Sequence, residues 1–522
     1  MGVRSCQLEL FDFDIDEPLV MPSRQAQRCA GPPVPDRVAA HLRQRAAYAS
    51  PRERQGVVHR SAMVPFELAE QMTALRRRAQ SGDPEATLIS IALLIGVPPT
   101  LVADAPLHSD AEQTITLDTR RGWVSIDFAR VFLGGAAKAA SNETALPATP
   151  VLQKPLPVFL AERIRDAIGK SPGATRLGDL FGDRAPVPHE PVDGERQGRL
   201  RTTTARLLHS LGPFALRQGL DRYDAALLTG DVSLLPKSRF FYVRCDPDRY
   251  LSSWRTYFDA LGWGEPVPLE MALPFGSQAV PAQTSVALAY RQLRERIEAA
   301  SPGRRYTLDD LIEHHNHFMI GAAWLLSFSL GSRQLQRLDF SAGRCIPGVS
   351  VMAYSDKRTG SLPRVQPVLL CGVAQRQVIA IWDHLVHLCA RADKLGVGLK
   401  VPWRCHLSDV LNQRLVPLLF LVNRRGPVAA GTRHVQLALD RAHRLAPNAG
   451  RHFWQTTFVD RGTRSEHVDL WARHSNAGME PMTSTSIAVV DSVRASLTAI
   501  QDDVFAELGM SAFSGLGAKG RQ

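Results

Sequence analysis

The chain has 522 residues, 44% of them hydrophobic and 22% charged, which fits a folded protein of several domains and excludes a disordered or collagen-like chain. Sixty-two Lys and Arg against 51 Asp and Glu leave a net charge of +11, which suits a polyanionic partner because each neutralised phosphate releases a counterion. Seven scattered cysteines without a C-x-x-C pair argue against a disulfide framework or a zinc knuckle, and place the chain in a reducing compartment, the cytoplasm.

Residues 1–35 read as a flexible arm, acidic-hydrophobic at first and then rich in proline. With no apolar h-region, this start is not expected to be a signal peptide. Residues 36–133 read as a mostly helical domain. Basic residues crowd 36–60 and 66–80, an apolar segment follows at 86–99, and a strand-like pair, QTITLDTRRGWVSIDF, closes the unit at 113–128. Residues 134–157 have linker composition. Residues 158–263 alternate helical patterns with a polar, Pro-containing loop at 183–199, and a second Pro/Gly-rich joint spans 264–284.

The last unit, 285–510, has the clearest grammar. A helix is expected at 285–300, and Thr307 before two aspartates predicts the N-cap of the next. The longest apolar run, FMIGAAWLLSFSLG (318–331), is too short for a membrane span and reads as a buried helix. GVSVMAYS (348–355) and RVQPVLL (364–370) flank a glycine-containing turn and predict a hairpin. Helices are expected again from 373, at 432–445, 451–461, 466–473 and 486–508, with a flexible tail at 511–522. The fold class is therefore mainly α with a small β-hairpin or sheet.

Cations from distant segments fall in a suggestive order: Arg333 after the buried helix, Lys357 in the hairpin turn, Arg451-His452 opening a helix, and His474 after the next one. Phosphodiester transesterification needs such a set. Guanidiniums clamp the non-bridging oxygens, imidazoles hold them or move a proton, and a lysine protonates the leaving oxygen. The HHNH run (His314, His315, His317) tempts a metal reading, but its spacing spreads the rings around a helix, so a solvated helix is expected and no metal. No P-loop and no G-x-S-x-G elbow occurs, and no cofactor is expected.

This order and spacing resemble the catalytic domain of the tyrosine recombinases, the phage integrases and related resolvases. That family typically reads Thr-Gly-Leu-Arg-x-x-Glu-Leu, a hairpin lysine, His-x-x-Arg-His-x-Phe…Gly, Leu-Gly-His and finally Tyr. Arg333 in LGSRQLQ stands at the first arginine and Lys357 at the hairpin lysine. Arg451-His452, Gly462 and His474 keep the family register without a gap. The resemblance covers roughly 300–500. It implies a recombinase-like catalytic domain preceded by helical DNA-binding domains, 158–263 corresponding by position to the core-binding domain.

The departures are specific. Asn448 stands in place of the motif's first histidine, Gln336 in place of the glutamate, and Arg473 in place of the glycine before the last histidine. Thr483 occupies the nucleophile's position, and the last tyrosine in the chain is Tyr354. An aliphatic hydroxyl is a poor substitute for a phenol without a strong base. The implied function is a DNA-binding, integrase-like protein in site-specific recombination or integration of a mobile element, unable to cleave in cis. The implied partners are double-stranded DNA and a second tyrosine recombinase supplying the nucleophile in trans, in a homo- or hetero-oligomer on DNA, with no membrane. The implied location is a bacterial cytoplasm, at the nucleoid when bound. The alternatives are a non-enzymatic regulator or architectural protein on the same fold, and a recombinase that uses a Thr or Ser hydroxyl.

Overall fold

The computed structural model describes residues 63, 65–107, 114–134, 144–182, 203–268, 273–333, 340–354, 358–359, 362–363, 366–398, 401–473 and 490–517. These residues are mainly helical with small antiparallel sheets, and no helix among them is long and apolar enough to cross a membrane.

In the N-terminal half, helix α1 (Pro65–Gln80) leads into α2 (Pro84–Ile95), whose first turn is set by Pro84 and by Asp83, whose carboxylate accepts from the Ala86 amide at 3.1 Å. Every residue of α2 from Ala86 onward is buried. Strands β1 (Ile115–Asp118) and β2 (Trp123–Asp127) form the expected hairpin. A third strand, β3 (Val151–Pro155), lies inside the stretch read as a linker and pairs with β2 in the register Val124↔Lys154. Helices α3 (Val158–Lys170), α4 (Thr204–Arg217), α5 (Arg222–Thr229) and α6 (Pro247–Leu261) complete this half. One apolar core runs through it from Met63 to Phe275, so the two N-terminal units read separately from the sequence share a single core.

Lys154 explains the fusion. Its ammonium is fully buried and donates to the Ile95 carbonyl at 3.0 Å and the Leu228 carbonyl at 2.8 Å. Both carbonyls lie in the last turns of helices, α2 and α5, where a cation is favoured. The helices end on left-handed glycines, Gly96 (φ +79°) and Gly230 (φ +71°), which let the two ends abut. A Cβ on Gly96 would sit 2.1 Å from the Thr229 oxygen. Burial pushes Lys154 down to about 7.

The C-terminal half is built around α8 (Leu308–Ser329), which follows α7 (Gln283–Ala299) and starts with the expected cap, the Thr307 hydroxyl accepting from the Asp310 amide at 3.2 Å. Strands β4 (Val351–Tyr354) and β5 (Gln366–Leu369) form the predicted hairpin. Lys357, between them in the sequence, lies outside the described residues. Helices α9 (Gly372–Lys394) and α10 (Pro402–Leu411) precede a hairpin the sequence does not signal, β6 (Phe420–Asn423) with β7 (Gly426–Ala429). Then come α11 (Thr432–Ala438), α12 (Ala449–Asp460), α13 (Ser465–Trp471) and α14 (Val490–Glu507).

Two expectations are corrected here. Within the HHNH run His314 and His315 are not solvated: they are 3% and 1% exposed, on the face of α8 that packs against α9 and β6, whereas His317 is half-buried. His315 Nε2 contacts the Phe420 carbonyl at 3.1 Å and so carries the proton. Its Nδ1 therefore accepts from His384 Nε2, also at 3.1 Å, while His384 Nδ1 accepts from the Leu516 amide at 3.2 Å. Burial pushes His315 down to about 3, against the Phe420 hydrogen bond, and pushes His384 well down, with the neighbouring imidazoles adding to it. No group of three or more ligands able to hold a metal occurs among the described residues. Nor does the C-terminal tail hang free over its described part. Phe513 stacks on Tyr290 at 4.8 Å, its amide donates to Gln377 Oε1 at 2.7 Å, and Leu516 is buried.

Helix α12 belongs to both halves. Trp454 and Phe458 sit in the C-terminal core, whereas Val459 sits in the N-terminal one. Polar pairs line the same seam. The Arg244 amide donates to Thr456 Oγ1 at 3.0 Å, the Asp221 carboxylate accepts from the Ser465 amide at 2.9 Å, and Arg222 pairs with Glu466 at 2.8 Å. The fully buried Arg239 pairs with Asp469.

Candidate functional site

The helix that carries the Arg-His pair is pressed against the end of α8. A Cβ on Gly450 would lie 2.6 Å from the Phe328 carbonyl, and that carbonyl also accepts from Trp454 Nε1 at 2.9 Å. Only a residue without a side chain allows this approach. Asn448, at the N-cap, takes a left-handed backbone (φ +59°), which asparagine tolerates better than most residues.

An open cleft lies where these elements meet. Ser327, Ser332 and Arg333 line it from the end of α8, Thr432 and Gln436 from α11, and Asn448 and Gly450 from the start of α12. Two of the sequence-predicted site residues, Arg333 and Asn448, thus share one cleft. Ser332 is 7% exposed, and its Oγ, like Arg333 Nε, is buried with no hydrogen-bond partner among the described residues. An arginine and a serine lining a cleft at a helix N-terminus suit an anionic oxygen, since the helix end contributes positive potential.

Arg451 and His452 turn elsewhere. Arg451 is 1% exposed, donates through Nη2 to the Ala472 carbonyl, and lies over the Tyr242 ring at 5.3 Å from Cζ to the centroid. His452 Nδ1 lies 2.6 Å from Ser277 Oγ, and the ring meets Tyr242 edge-on at 4.8 Å. Burial, helped by the Arg451 charge, pushes His452 down to about 4, so the ring is neutral and shares a single hydrogen bond with the Ser277 hydroxyl. Neither residue lines the cleft.

The Ser277–His452 contact has the length of a nucleophile–base pair, and Ser277 borders an apolar cleft with Phe240, Phe241 and Phe275. The donors that could stabilise an oxyanion there are committed. The Ser277 amide donates to the Val243 carbonyl at 2.9 Å, the Gly276 amide to Thr149 at 2.9 Å, and Gln278 Nε2 to Ala148 at 3.2 Å. Acyl transfer is therefore unsupported at this pair.

Arg473 extends the picture. It has φ +58°, a backbone that suits the glycine the resemblance expects there, and its guanidinium donates to the Leu330 carbonyl at 3.0 Å and to Gly331 at 3.3 Å. The residue sequence reasoning could have found is Ser332, adjacent to Arg333. Tyr242 and Ser277, which hold Arg451 and His452, carry no local signal. His474 and Thr483 lie outside the described residues. No family model, no curated protein and no solved structure matches the chain.

Proposed function

We propose that this chain is a DNA-binding relative of the tyrosine recombinases that grips a backbone phosphate at the Ser332–Arg333 cleft and does not cut it in cis. The observation that carries the reading is the meeting of Arg333 and Asn448, from distant segments, in one cleft that Ser332 also lines. The unbroken register of Arg451, His452, Gly462 and His474 supports it, as does the net charge of +11. In this reading Arg333 neutralises a non-bridging oxygen, the Ser332 hydroxyl and the Asn448 amide donate to it, and the nucleophile for strand exchange comes from a partner recombinase on DNA of a mobile element. Lys357 and His474 are assigned to the same phosphate by register alone.

A second reading, a non-enzymatic regulator or architectural protein on this fold, is favoured by one observation. Arg451, which the family resemblance gives to the phosphate, spends its guanidinium on the Ala472 carbonyl and the Tyr242 face.

Titration of a fluorescent duplex DNA with the full chain at rising salt tests binding. The expected result is a steep fall of affinity with salt, its logarithmic slope shrinking by about one in Arg333→Ala. Absence of duplex binding at low salt overturns both readings. Incubation with a nicked suicide duplex then tests cleavage. No covalent adduct is expected from this chain alone, and an adduct at Thr483 or a neighbouring serine would overturn the claim that it cannot cut. Recombination restored by mixing in a recombinase from the same element separates the first reading from the second.

A further inference from the structure

The two arginines nearest the cleft that do not line it share one path of contacts. The Arg451 side chain starts on α12, lies over the Tyr242 ring from the N-terminal half, and holds the Ala472 carbonyl at the end of α13. The next residue, Arg473, places its guanidinium on the Leu330 and Gly331 carbonyls at 3.0 and 3.3 Å, with the Tyr354 ring 5.5 Å away. Those carbonyls immediately precede Ser332 and Arg333. A second contact locks the same two chain ends: Gly331 has φ +53°, and a Cβ there would sit 2.2 Å from the Trp471 ring. The Ser332 amide is itself held by the Ser327 carbonyl at 2.9 Å, so the turn carrying Arg333 is fixed from both sides.

We infer that Arg451 and Arg473 are positioning residues: with Tyr242 they form a brace that fixes the Ser332–Arg333 turn, so the N-terminal half sets how firmly the cleft holds an anion. The inference rests on the anion-holding reading of the cleft for its consequence, though not for its geometry. Arginine suits both brace positions because one planar guanidinium donates in several directions while its face stacks on an aromatic ring. The left-handed backbone at Arg473 adds a diagnostic. Glycine would relieve that residue's strain, so a substitution to glycine isolates the contribution of the side chain.

Two measurements on the full chain test the brace. The first is amide hydrogen exchange over 326–333 in the free protein. Arg473→Gly removes only the side chain and favours the backbone, so the fold survives, and exchange at 330–333 should rise about fivefold to tenfold. Arg473→Lys, which keeps one donor, should recover part of that protection, and Tyr242→Leu should loosen the same peptide from the far end. Unchanged exchange at 330–333 in Arg473→Gly would overturn the brace, whether or not the chain binds DNA. The second measurement is duplex affinity against salt. Arg451→Gln and Arg473→Gly should weaken binding about fivefold at one salt concentration and leave the salt slope at the wild-type value, because neither side chain touches a phosphate. A slope lowered by about one in Arg451→Gln would show it to be a phosphate ligand and sink its positioning role. Loss of all duplex binding in the wild-type chain defeats the proposed function instead, and the exchange result still decides the brace.

Discussion

Arg333 and Arg451 are the same residue type, paired by the same sequence pattern, and the fold uses them in opposite ways. Arg333 is only partly buried and lines a cleft. Arg451 is 1% exposed, and its guanidinium meets a carbonyl and an aromatic face. One guanidinium belongs to a cleft wall and the other is held inside the fold. The place of a motif arginine, cleft wall or packed interior, is decided by the elements around it, and its register in the sequence does not settle that.

The largest expected effect separates the two directly. Arg451→Ala should cost about 2–4 kcal/mol of stability, because it leaves the Ala472 carbonyl and the Tyr242 face without their buried partner. Chemical denaturation measures this, and a wild-type midpoint would erase the contrast.

Next comes acid sensitivity. His315 and His384 are fully buried and neutral, and both have native values below the ordinary 6.5 or so, His315 at about 3. The unfolded chain therefore binds more protons as pH falls through 6.5. The stability these groups contribute is complete above that value and declines below it. Between pH 7.5 and 5.5 each ring should cost about 1.4 kcal/mol, together about 3. His384→Asn, which keeps an acceptor near the Leu516 amide, should remove about half of that pH dependence in thermal melts. An equal pH dependence in both proteins would contradict the assignment.

A smaller loss, about 1–3 kcal/mol, is expected for Gly450→Ala, because the added methyl meets the Phe328 backbone and must part α12 from α8. It sharpens the comparison because the cleft around Arg333 should open along with it. The smallest effect belongs to Arg333→Ala, within about 0.5 kcal/mol of wild type, since little of the fold depends on its guanidinium. If its melting point fell as far as that of Arg451→Ala, the two arginines would be alike after all.

Local signals were legible where one residue decides a local geometry. Thr307 caps α8 as expected, the hairpin of β4 and β5 falls where alternation and a glycine place it, and α12 begins within two residues of its sequence estimate. Strand β3 was hidden because its flanks carry linker composition, and what makes it a strand is pairing with β2 and the buried Lys154 ammonium, both non-local. The burial of His314 and His315 carries no local signal for the same reason, their partners His384 and Phe420 lying far along the chain. In the site, the register of Arg451 and His452 could be read, but the direction of each side chain could not. A helix turns about 100° per residue, so the packing of α12 between two cores decides which neighbour faces the cleft.

That shared helix has a thermodynamic consequence. Apolar residues a turn or less apart on α12 anchor in different cores, Phe458 in one and Val459 in the next. Melting either half strips one side of the same helix and weakens the other, so calorimetry is expected to show the two halves unfolding together, and two well-separated transitions would contradict the coupling. A fragment beginning near residue 285 would expose Val459 and leave Thr456 and Ser465 without their seam partners Arg244 and Asp221. Expressed alone, it should behave as a loosened, aggregation-prone species, although its sequence reads as the best-defined domain of the chain.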